Sequence, residues 1–183
     1  MLDAAERLLV TEGVEALRTG RIAAEAGVSV SSLYQYFPDG GAIVDALARR
    51  YLTEFEALMD ELAERALSED WGDLVGGLID GFAERYRAEP GYRALWFGRH
   101  LSEELQSADR RNKRTLADGV RRVLVGRGLA RDGEDLERAC LAAVLTADAL
   151  LQEAFRESPE GDPALLAEAK VILRRYLEEV ASR

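Results

Sequence analysis

Apolar residues return at three- and four-residue steps along almost the whole chain. Val44, Leu47, Tyr51, Phe55, Leu58 and Leu62 keep this rhythm without a break, which predicts one long helix. Leu74, Leu78, Phe82 and Tyr86 stand four apart on the next, with Val75 and Ile79 widening the face; Pro90-Gly91 stops it. A short aromatic segment follows at about Tyr92 to His100. Another helix is expected from about Ser102 to Val125, ending at Gly126 and Gly128. The last two are predicted over about Glu134 to Arg156 and from Asp162-Pro163 onward, where Asp162 can cap and Pro163 suits a first helical turn. The final helix shows an apolar face of Leu165, Leu166, Ala169, Ile172, Leu173, Tyr176, Leu177 and Val180. No stretch alternates with the two-residue period of a strand, and no internal repeat stands out. The expected fold class is all-α.

Near the N-terminus the pattern breaks in a specific way. A helical run around Ile22, Ala23 and Ala26 stops at Gly27-Val28-Ser29, and a second short helix ends in Leu33-Tyr34-Gln35-Tyr36-Phe37. Gly27 can take the left-handed conformation of a sharp helix exit, and the Ser29 hydroxyl can cap the second helix. Two short helices joined in this way form a helix-turn-helix, which sets its second helix in a DNA major groove. Ile22, Ala26, Val28 and Leu33 are the expected apolar pins between them.

The order and spacing of several elements then resemble one known family. An apolar first helix (Met1, Leu2, Ala5, Leu8, Leu9), Gly13, Ile22-Ala23-x-x-Ala26-Gly27-Val28-Ser29 and Leu33-Tyr34-x-Tyr36-Phe37 together are similar to the headpiece of the TetR family. The resemblance implies a homodimeric, all-helical transcriptional regulator, usually a repressor, that binds double-stranded operator DNA and answers to a small-molecule effector. It implies a three-helix headpiece over residues 1–47, with its motif at about 18–37, and a ligand-binding and dimerisation body over 48–183. By position in the motif, Arg18, Thr19, Val30, Ser31, Ser32, Tyr34, Gln35 and Tyr36 are the DNA-binding candidates. Gln35 suits adenine, Val30 a thymine methyl, and Tyr34 and Tyr36 phosphates. Arg18 and Thr19 open the preceding helix, a position suited to a phosphate. The chain departs from the family at three places. Arg18 stands where a capping Thr or Ser is usual, which passes the cap to Thr19. Gly40-Gly41 replaces a lysine that grips the DNA backbone. Gly20 lacks a side chain where other members carry a contact.

Charge sharpens this picture. The formal net charge is −10, the wrong sign for a protein that coats nucleic acid nonspecifically. Residues 1–50 hold five arginines, no lysine and seven acids, a sum of −2, so the headpiece depends on a few placed contacts. The single cysteine, Cys140, forbids an intrachain disulfide and suits a reducing compartment. Asp3, Glu6 and Arg7 interrupt the start too early for a targeting core, and no apolar run approaches the ~20 residues of a membrane span. A cytoplasmic protein with no membrane partner is expected.

In the body, Phe82, Tyr86, Tyr92, Trp96 and Phe97 cluster with Trp71 where the family resemblance implies a ligand cavity. Aromatics at helical spacing also build ordinary cores. Gly72, Gly76, Gly77 and Gly81 fall in one apolar helix, each unfavourable by up to ~1 kcal/mol against alanine. They signal close packing, emptied volume or a bend. Asp148 follows Leu141 and Val144 at helical steps; buried, it needs a cationic ligand or an arginine of the other subunit, and otherwise it lies exposed at the edge of the face. Arg110, Arg111, Lys113, Arg114, Arg121 and Arg122 read as a solvated basic face. Leu136, Ala139, Cys140, Ala143, Ala147, Leu150 and Ala154 form a small-residue stripe. Ala139, Cys140, Ala143, Ala147, Leu150, Leu173 and Tyr176 are therefore the expected dimer interface of a four-helix, two-fold assembly. His100 has no second ligand near it in sequence, so no metal site is expected. With no nucleophile–base pair or phosphate loop, neither an enzyme nor a cofactor is expected. A dimeric binding module with a weakened headpiece is the alternative to a regulator.

Overall fold

The computed structural model describes residues 1–69, 71–98 and 102–182, so His100 lies outside the described residues. Among these residues there are nine α-helices, one 3₁₀ turn and no strand. The helices are α1 (Leu2–Glu12), α2 (Thr19–Glu25), α3 (Val30–Tyr34), α4 (Gly40–Ser68), α5 (Leu74–Ala88), α6 (Pro90–Gly98), α7 (Glu103–Gly126), α8 (Glu134–Ala154) and α9 (Pro163–Ala181), with the 3₁₀ turn at Val14–Ala16. The all-α expectation is met. Beyond Gly41, α4 contains no glycine or proline, and its apolar positions recur as predicted, so it runs on unbroken. Asp162 opens α9 by accepting from the Ala164 and Leu165 amides at 2.8 and 3.1 Å, with Pro163 as first residue. Helix α8 stops at Ala154, two residues short of the expected Arg156.

The chain divides into two compact units, Met1–Thr53 with Glu89–Ala108, and Glu54–Ala88 with Asp109–Arg183. The first is built around Leu9, Ile22, Leu33, Ile43, Leu47, Tyr51 and Leu95. In it α6 packs on α1, and the Tyr92 ring meets the Tyr51 ring edge-on at 6.0 Å. Arg50 bridges Asp3 and Glu6 at 2.7 and 2.5 Å, while the Tyr51 hydroxyl donates to Glu6 at 2.6 Å. Those bonds tie α1 to α4.

The second unit surrounds Met59, Leu62, Leu78, Ile79, Val123, Leu124, Leu136, Cys140, Leu173 and Leu177. The glycines of α5 find their reason here. A Cβ on Gly77 would lie 2.7 Å from the Trp71 ring, and one on Gly81 would lie 2.8 Å from a Leu62 methyl. Close packing therefore decides among the three readings of this glycine group. Gly72 precedes α5 and is not part of the helix.

Asp73 caps α5 through the Gly76 amide at 3.0 Å and pairs with Arg174 of α9 at 2.6 Å. Arg174 first, and the Gly76 amide second, hold its carboxyl below the ordinary 3.8. A folded pKa depressed in this way gives stability that is present above about pH 4 and lost as the pH falls through the lowered value. Asp73→Asn keeps a capping oxygen and removes the charge. The wild-type protein should therefore melt higher than this variant at pH 7, with the gap closing below about pH 4. A gap of the same size at pH 2.5 refutes the ion-pair account.

Candidate nucleic-acid interface

The turn between α2 and α3 is built as its residues dictate. Gly27 has φ 66°, a left-handed exit that costs a glycine nothing. Ser29 caps α3, its Oγ accepting from the Ser32 amide at 3.0 Å. The same oxygen lies 2.9 Å from Ser31 Oγ and 2.8 Å from Ser32 Oγ, so three hydroxyls close the first turn. Ile22 and Leu33 are fully buried pins, whereas Ala26 and Val28 are half-buried.

Against those pins, the other side of α3 is turned outward. Val30, Tyr34 and Tyr36 are 41%, 50% and 71% exposed, large apolar or aromatic surfaces left facing water. Ser31 and Gln35 are exposed with them, and Ser32 is half-buried behind its bond to Ser29. Tyr36 lies past the end of α3, in the turn that leads to Pro38. The Thr19 hydroxyl lies 3.4 Å from that of Tyr34, which brings the start of α2 to the edge of this face. Arg18 occupies the N-cap position of α2 but no side chain caps it, so the expected transfer of the cap to Thr19 does not occur. Gly20 is exposed and leaves open space beside the backbone. At Gly40-Gly41 the start of α4 carries a carboxylate: Asp39 Oδ1 accepts from the Ala42 amide at 2.8 Å.

The body residues proposed from sequence separate. Phe82 and Tyr86 belong to the second unit, where Phe82 stacks on Phe55 at 5.8 Å and Tyr86 meets Phe155 at 5.2 Å. Tyr92 and Trp96, stacked at 4.4 Å, belong to the first, as does half-buried Phe97. Sequence reasoning missed Phe155, which sits in the turn after α8 with Gly161 against its ring. The Gly161-Asp162-Pro163 stop just beyond it was the available signal. Asp148 is half-buried and satisfied within its own chain, by Lys113 at 2.8 Å and the Gln152 side-chain amide at 2.8 Å, so it has neither an external partner nor a fully exposed position at the edge of the face. Burial opposes the Lys113 charge, but Asp148 and Asp109 outweigh it and its pKa is raised. The basic run is dispersed among acids: Arg121 pairs with Asp118 and Asp132, and Arg122 with Asp60.

The proposed dimer stripe also needs correcting. Ala139, Cys140, Ala143 and Leu173 are at most 5% exposed within the single chain and belong to its own core, which leaves them little surface to offer a partner. Burial pushes the Cys140 thiol up to about 11. Ala147 and Leu150 are half-buried, and Tyr176 alone of the set is exposed. The outward apolar residues of these helices are instead Ala142, Leu145 and Ala149 on α8 and Ile172 and Tyr176 on α9. No described helix is long and apolar enough to cross a membrane.

Comparison with known proteins agrees with this architecture. Residues 1–47 match the family model of bacterial regulatory proteins, tetR family, and residues 69–181 match that of the tetracyclin repressor-like C-terminal domain. A TetR-family transcriptional regulator from Streptomyces coelicolor is 33% identical, with 98% of this chain and 96% of that one covered and a TM-score of 0.70. FadR from Bacillus subtilis, solved with stearoyl-CoA, is 18% identical over 96% of this chain and 95% of its own, with a TM-score of 0.69. SmeT, the repressor of the Stenotrophomonas maltophilia multidrug efflux pump SmeDEF, is 22% identical over 97% and 87%, with a TM-score of 0.66; a SmeT–triclosan complex matches similarly. No curated protein matches the chain.

Proposed function

The chain belongs to the TetR family of bacterial regulatory proteins, and from that premise we propose that it is a repressor in the cytoplasm that binds a roughly palindromic operator as a homodimer and leaves it when a small molecule binds the body. One observation carries the DNA-binding part: Val30, Tyr34 and Tyr36 are exposed around a helix-turn-helix whose own pins, Ile22 and Leu33, are fully buried. Two such headpieces would enter successive major grooves about 34–36 Å apart. Arg18, Thr19, Ser31 and Gln35 join the tyrosines as contacts, with Val30 against a thymine methyl.

The complexes of FadR with stearoyl-CoA and SmeT with triclosan support an apolar effector. Phe82 and Tyr86, grouped with Phe55 and Phe155, are the ligand-binding candidates that the second unit brings together. A coupling of ~1–3 kcal/mol between effector and operator suffices for substantial release. Association of two copies is assigned to Leu145, Ile172 and Tyr176 on the outer sides of α8 and α9.

The test is selection of sites from sheared DNA of the source genome by the purified protein. Enrichment of one palindromic site is expected, with Tyr36→Ala binding it about tenfold or more weakly through loss of a phosphate hydrogen bond while remaining dimeric. Unchanged affinity removes Tyr36 from the interface. No enrichment by a folded dimer favours the alternative, a binding module that no longer grips DNA.

A further inference from the structure

The net charge of the headpiece understates how little positive charge it offers to DNA. Among the described residues 1–53, four of the five arginines are held by carboxylates. Arg7 pairs with Glu25 at 2.8 Å, and Arg21 forms a two-pronged pair with Glu12 at 2.6 Å on each prong. Arg49 pairs with Glu104, and Arg50 with Asp3 and Glu6. Exposed pairs of this kind are weak and can open. Opening one to reach a phosphate, however, leaves a carboxylate facing the same polyanion, so little net counterion release is gained. The start of α4 adds no cation, since Asp39 occupies it.

Arg18 is the exception. It is exposed and makes no ion pair among the described residues. It adjoins Thr19, whose hydroxyl lies beside that of Tyr34, at the edge of the outward face of α3. The remaining groups on that face, Ser31, Tyr34, Gln35 and Tyr36, are neutral hydrogen-bonding side chains. Such groups fix a phosphate or a base without releasing counterions.

We propose that, of the five arginines within residues 1–53, Arg18 alone binds phosphate, and that hydroxyl and amide side chains supply the rest of the grip of these residues, so that the operator complex depends only weakly on salt. The proposal rests on the regulator reading. Two Arg18 side chains per dimer give a slope of log affinity against log salt of about −2, and about a tenfold loss between 50 and 200 mM. A protein with 6–10 phosphate contacts by lysine or arginine would lose about 10³–10⁵-fold over the same range. With so few cations on offer, binding to bulk DNA is very weak. Discrimination then comes from poor nonspecific binding as much as from strong specific binding.

The measurement is the affinity of the full-length protein for a labelled duplex of the genomically enriched site, from 50 to 400 mM KCl. A wild-type slope shallower than −3, an almost flat slope for Arg18→Gln, and recovery of the wild-type slope in Arg18→Lys are expected. A wild-type slope steeper than −3, or an Arg18→Gln slope equal to that of wild type in a protein with an unchanged circular dichroism melt, overturns the proposal while leaving the regulator reading in place. Failure to enrich any site removes the regulator reading and this proposal together.

Discussion

Phe155→Ala should lower the stability of the chain by about 3–5 kcal/mol, the cost of removing a large buried aromatic ring and leaving the space behind it. The ring is 2% exposed. It meets Tyr86 at 5.2 Å, carries the Arg87 guanidinium at 5.6 Å from its centroid, and has Gly161 against the tip of the ring. Tyr86 in turn leans on Phe55, which stacks on Phe82. Truncation therefore unpacks one end of a series of rings drawn from α4, α5 and the turn after α8. The surroundings have little freedom to collapse, because Gly161 is already in contact and the Asp162 amide is bonded to the Ala154 carbonyl at 2.9 Å. Urea denaturation followed by circular dichroism reads the effect. A loss below about 1 kcal/mol would mean that the ring is not integral to the core.

If the proposed homodimer forms through these side chains, Leu145→Asp, and separately Ile172→Asp, should convert it to monomer at micromolar concentration and reduce operator affinity by more than about a hundredfold. In a two-fold interface each substitution is repeated, so two unpaired carboxylates are buried at several kcal/mol each. Both side chains are nearly half exposed in the isolated chain, so the fold itself should persist. Cys140→Ser supplies the contrast. It places a hydroxyl in the chain's own core and should reduce stability without changing association. Sedimentation velocity decides the matter. A Leu145→Asp protein that stays fully dimeric moves the interface elsewhere.

The contrast between these residues also shows what a sequence can display. The turn at Gly27 and Ser29, the cap at Asp162 with Pro163, and the unbroken α4 were all legible, because each depends on neighbours within about one helical turn. The small-residue stripe of α8 was legible as a stripe but not as an interface. A small side chain looks the same whether the helix it admits belongs to its own chain or to a second copy. Asp148 posed the same difficulty: its partner, Lys113, lies on another helix, and no local pattern pairs them. At the candidate DNA face the outward tyrosines were foreseen, whereas the pairing of Arg7 and Arg21 with acids on neighbouring helices was not. Counting charges gave the sign of the headpiece, and only the folded arrangement identified Arg18 as the cation left over.

The chain contains two tryptophans, and they fall in different compact units: Trp96 in the first and Trp71 in the second. Trp96 is buried and stacked on Tyr92, an apolar setting that shifts emission to the blue. Trp71 is half-buried beside Gly77, with the Arg65 guanidinium 5.4 Å from its ring and its indole N–H donated to Glu69. Each half of the molecule thus contains its own fluorophore in a distinct environment. A single Trp-to-Phe replacement leaves a chain whose emission reports one half alone, so effector binding and melting can be assigned to one compact unit or the other without an added label.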